Sequence, residues 1–82
     1  MKAQFKSPEA RQQFIDLGEK EWATSSDPMS NNNRKIAYLV GMKEFDVKPC
    51  GSPFVGWYDI YIDGKQFDSI SSREVGYFDF RE

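Results

Sequence analysis

Cys50 carries the strongest nucleophile chemistry in this chain, and it stands in a turn-forming run, Lys48-Pro49-Cys50-Gly51-Ser52-Pro53. A thiol on such a turn can be exposed, and a nearby lysine lowers its pKa. Activation also needs a base, and the chain holds no histidine. That absence removes Ser-His and Cys-His nucleophile activation together with the usual zinc and haem ligand. Cys50 therefore reads as a small, half-buried turn residue, and as the single cysteine it has no intramolecular disulfide partner.

Paired carboxylates are the other route to acid and base chemistry. Asp59 and Asp68 fall opposite each other if the segments flanking Asp63-Gly64 form a hairpin, which brings two acids within about 5 Å of each other. Such a pair raises one pKa or holds a hard cation. Cation cages and glycosidase sites add further oxygen ligands or a cleft, and a hairpin surface supplies neither. The expectation is a protein without catalytic residues, metal or cofactor.

The elements that position these residues belong to one compact domain spanning 82 residues, 39 % hydrophobic, 29 % charged and 16 % aromatic. Ser7-Pro8-Glu9 is a helix start, with a serine cap, proline at the first helical position and a carboxylate at the positive end of the helix dipole. The spacing of Ala10, Phe14 and Leu17, widened by Ile15 and Trp22, predicts a helix over about 8–22 with one buried face. Asp16 and Lys20 form an i,i+4 pair on its wet side, and Gly18 permits a close contact or an early end. Residues 23–33, rich in Ser, Asn, Asp and Pro, read as a long loop, with Met29 as its one large apolar residue.

From Lys35 to about Val47 the pattern reads as a central strand with both faces apolar, and Phe54 to Ile62 as a second. The latter runs into Asp63-Gly64, a two-residue hairpin signal. That turn pairs Ile60 with Phe67, Asp59 with Asp68 and Trp57 with Ile70, so Tyr58, Ile60 and Phe67 share the core face. Val75 to Phe80 reads as a last strand. The fold class is α+β, an N-terminal helix packed on a three- to four-stranded antiparallel meander over residues 35–80.

One helix covers one face of such a sheet, so the outer face, with Trp57, Asp59, Tyr61, Asp68 and Ile70, is left to a partner unless the loop or the C-terminal residues fold over it. Thirteen acids against eleven bases give a net charge of −2. Residues 1–54 hold seven acids and eight bases, and residues 55–82 hold six acids and three bases. The acidity therefore lies where the aromatics are dense, which suits a basic protein surface better than nucleic acid, whose binders surround their aromatics with Lys and Arg. The expected function is a non-enzymatic protein-binding module, of the type of small phage- or plasmid-encoded inhibitors of larger host proteins. A single-stranded nucleic-acid binder and a homodimer through the same face are the alternatives. The N-terminus has no signal-peptide run and the longest apolar stretch, Ile36 to Gly41, is far short of the roughly 20 residues that span a bilayer, so a cytoplasmic protein without membrane contact is expected.

Overall fold

The computed structural model describes residues 1–21 and 31–82. In chain order the elements are β1 (Lys2–Phe5), α1 (Pro8–Glu21), α2 (Asn32–Val40), β2 (Phe45–Pro49), β3 (Tyr58–Ile62), β4 (Lys65–Ile70), a 3-10 turn (Val75–Tyr77) and β5 (Phe78–Arg81). The fold is α+β: among the described residues, two helices lie on one face of a five-stranded antiparallel sheet ordered β4-β3-β2-β1-β5. The meander is real for β2 to β4, while β1 enters the middle of the sheet between β2 and β5. Alternation in Lys2-Ala3-Gln4-Phe5, which buries Ala3 and Phe5 and exposes their neighbours, makes this short segment a strand.

α1 begins as the residues at its start require, with the Ser7 hydroxyl accepting from the Ala10 N–H at 3.0 Å. It buries Ala10, Phe14 and Ile15 and runs through Gly18. Asp16 accepts from Gln12 at 3.0 Å, and among the described residues it forms no ion pair with Lys20. Trp22, Met29 and residues 23–30 of the loop expected over 23–33 lie outside the described residues.

The segment read as a strand from Lys35 is instead α2, and the expected loop ends at Asn31. Asn31 has extended backbone and its side chain accepts from the Arg34 N–H at 3.1 Å, which caps the helix. Asn33, Ile36, Ala37 and Val40 are then buried while Tyr38 and Leu39 face out, a period of 3.6. Apolar residues on both alternate faces of a strand are also what an amphipathic helix produces over so short a run, and the asparagine cap decides between them. Gly41, with φ +58, ends α2.

β3 starts at Tyr58, four residues later than the apolar pattern suggested, because residues 51–57 form successive turns. The final strand likewise starts at Phe78, after the 3-10 turn that takes Val75 to Tyr77. The hairpin turn is as expected, with Asp63 at φ 52 and Gly64 at φ 80, so Ile62 faces Lys65 and Tyr61 faces Gln66. A bulge then intervenes between Ile60 and Tyr61, and Ile60 pairs with Asp68, Asp59 with Ser69 and Tyr58 with Ile70. The extra residue is Phe67, which turns outward, while Ile70 becomes fully buried. Asp59 and Asp68 are therefore not opposed.

Both helices and the inner sheet face enclose one core. Phe5 stacks on Phe78 at 4.4 Å between ring centres, and Phe14 meets both edge-on at 5.4 and 5.2 Å. Tyr58 of β3 and Phe80 of β5 also stack, at 4.7 Å. Two strands separate β3 from β5, about 14 Å in a flat sheet at ~4.8 Å per step, so the inner face is curled around the core.

Candidate binding cleft

Four segments converge at the end of the edge strand β4. The first is the β2–β3 connection, closed by the Cys50 N–H on the Trp57 carbonyl at 2.8 Å and tightened by the Phe54 and Trp57 N–H groups. It leaves Phe54 55 % and Val55 76 % exposed, with the Phe54 ring 5.6 Å from the half-buried Trp57 ring. The second is the turn after β4, where the Glu74 N–H donates to the Ser71 carbonyl and the Ser71 N–H returns a bond to Glu74 Oε1, both at 2.9 Å. Helices α1 and α2 supply the rest.

Those helices meet through asparagines. Asn33 donates to the Phe14 carbonyl at 2.9 Å and to Glu74 Oε2 at 2.7 Å; Asn31 donates to the Ile15 carbonyl at 3.1 Å and to Glu19 Oε2 at 2.9 Å. Asn31, Asn33, Ser71 and Glu74 are all buried. A Cβ at Gly18 would sit 2.2 Å from Asn31 Oδ1 and 2.5 Å from Asn33 Cβ, so the helices reach this separation only because position 18 is glycine. This polar seam holds one wall of a cleft of about 320 Å³, bounded by Asn32 and Asn33, Trp57, Asp68 and Ser69 of β4, and Ser71 and Glu74. The Ser71 hydroxyl is buried with no hydrogen-bond partner among the described residues.

The residues expected to form one outer surface are divided. Trp57 and Asp68 line the cleft. Asp59 and Tyr61 stay on the outer sheet face, where Asp59 Oδ1 accepts from Cys50 Sγ at 3.2 Å, Gln66 at 3.1 Å and Ser69 at 2.9 Å. Ile70 is in the core and leaves the set, because the bulge reverses the face of everything beyond it. Nor is the outer face an acidic-aromatic one. Lys48 lies 4.8 Å over the Tyr61 ring, Lys2 pairs with Asp46 and Arg81 with Glu44. Lys2 holds the Asp46 carboxyl below its usual range.

Burial pushes the Cys50 thiol up, and the neighbouring Asp59 carboxylate pushes it the same way, the reverse of an activated nucleophile. Among the described residues no three metal-ligating side chains gather, and no helix is long and apolar enough to cross a membrane. Asn33, Ser71 and Glu74 carried no signal in the sequence as site residues. The one available sign was the helix-capping potential of Asn31-Asn32-Asn33. No protein-family model matches the chain, and comparison with curated proteins and with solved structures finds no similar protein.

Proposed function

We propose that this chain is a small non-enzymatic protein-binding domain, acting as an inhibitor or adaptor of a larger protein, and that it docks through the Trp57 cleft and its rim. The observation that carries this reading is half-buried Trp57, which lines the cleft together with Asp68 and whose ring lies beside that of exposed Phe54, next to exposed Val55 in the chain. An aromatic anchor beside exposed apolar side chains and a charged rim is the make-up of an interface centre. The cleft lining includes no Lys or Arg among the described residues, which favours a protein over a nucleic-acid backbone.

The test is retention of a partner on immobilised wild-type chain, Trp57→Ala and Tyr61→Ala, with sedimentation of each free protein. A protein held by the wild type and Tyr61→Ala but released by Trp57→Ala is the expected result. Equal retention by all three would overturn the assignment. So would a homodimer that dissociates in Trp57→Ala, or capture of single-stranded RNA with a steep salt dependence.

A further inference from the structure

Resting on that reading of the chain as a protein-binding domain, we infer that the cleft receives the guanidinium group of an arginine presented by the partner. Among the described residues its ionisable lining side chains are two carboxylates, Asp68 and Glu74. Glu74 is 3 % exposed, and its oxygens accept from the neutral Ser71 N–H and Asn33 amide, with no ion pair among the described residues. A carboxylate so far out of water is costly without a cation beside it. Asp68 uses one oxygen to accept from the Ser69 N–H at 2.7 Å and is only partly buried.

A second, independent observation comes from Ser71. Its residue is 4 % exposed and lines the cleft, and its hydroxyl has no partner among the described residues. Buried hydroxyls are nearly always hydrogen-bonded, so this one is an acceptor in waiting for an N–H donor. Guanidinium offers five N–H donors in a plane, enough to address separate carboxylates and a hydroxyl together, and that plane stacks on an indole such as Trp57. The volume, about 320 Å³, lies at the lower end of the roughly 300–1,000 Å³ of ligand pockets, which suits one side chain. A hard metal ion fits less well, since calcium takes about six to eight oxygens and no cluster of three ligating side chains exists among the described residues.

The experiment titrates the isotopically labelled chain with N-acetyl-arginine amide, with the neutral isostere N-acetyl-citrulline amide and with N-acetyl-lysine amide, following amide and indole N–H resonances. Saturable shifts at the Trp57 indole, Asp68, Ser69 and Ser71 with the arginine probe, absent with citrulline, are expected. Asp68→Asn, which can still accept from the Ser69 N–H, should weaken the arginine probe by about tenfold, the worth of one charge-assisted hydrogen bond. Ser71→Ala should weaken it by a smaller factor without loss of spectral dispersion. Equal shifts with citrulline, a stronger response to lysine, shifts confined to other surfaces, or no shift with arginine would each overturn the assignment. A partner that still depends on Trp57 in the retention experiment, with no response to the arginine probe, would sink this inference alone.

Discussion

Glu74 and Asp59 are both hydrogen-bonded carboxylates near the end of β4, one on each side of the sheet. Asp59 gathers three donors onto a single oxygen from Cys50, Gln66 and Ser69, on a half-exposed surface. Glu74 has two, one on each oxygen, and is 3 % exposed. By number of bonds Asp59 is the better held. By energetics the order reverses, because water readily replaces each donor that Asp59 loses, whereas the donors that Glu74 would leave behind belong to buried residues. Glu74 also joins elements distant in sequence: through Asn33 it connects the 71–74 turn to α2 and to the Phe14 carbonyl of α1.

The most direct way to break this comparison is to remove each carboxylate in turn. Glu74→Ala strands the Ser71 N–H and the Asn33 amide in the interior, at a cost of about 3 kcal/mol in urea unfolding. Asp59→Ala should cost about 0.5 kcal/mol or less, as surface substitutions do. Equal losses would show that burial does not distinguish the two sites. Gly18→Ala probes the same seam without removing a hydrogen-bonding group. Alanine favours an isolated helix over glycine by about 1 kcal/mol, yet here its methyl meets Asn31 and Asn33 at impossible distances. A net destabilisation of about 2 kcal/mol is expected from overpacking, seen as a lower thermal midpoint. A raised midpoint would mean that the helices separate freely and that the seam is loose.

The contrast between these regions also explains what could be read from the residues in order. The start of α1, the burial of Ala10, Phe14 and Ile15 on it and the Asp63-Gly64 turn rest on local chemistry and are present as expected, while Leu17, expected on the same face, is only half-buried. The α2 segment failed because nine residues are too few for a period of 2 and a period of 3.6 to separate when apolar residues are adjacent; the deciding cap at Asn31 sat inside what looked like a polar loop. The bulge at Ile60/Tyr61 had no sequence signal at all. It is selected by tertiary packing, since it delivers Ile70 to the core and leaves Phe67, the other large apolar candidate, 41 % exposed. Of the cleft, Trp57 and Asp68 were legible as binding-type residues, but they were assigned to the opposite face. Glu74, Ser71 and Asn33 act through contacts between residues 41 apart in sequence or three apart around a turn, and no spacing rule connects such positions.

The outer carboxylate gives the smallest effect on stability and the sharpest effect on reactivity. Cys50 donates its S–H to Asp59; burial chiefly, and then that hydrogen bond and the charge behind it, hold the thiol above its ordinary value. A thiol whose pKa is raised on folding adds stability that is complete below the unfolded value, about 8.5, and is lost as pH climbs through the folded one. Asp59→Asn removes the charge and leaves the burial, so the thiol should drop part of the way back while staying above the unfolded value. The pH profile of iodoacetamide alkylation should therefore move its midpoint to lower pH in the variant, and the alkaline loss of folding stability should shrink across the same window. The midpoint is the quantity to compare, because a less basic thiolate is also a weaker nucleophile and the limiting rate alone would blur the shift. An unchanged midpoint would mean that Asp59 is held by Gln66 and Ser69 without acting on the thiol, and the outer cluster would then be a set of separate surface bonds.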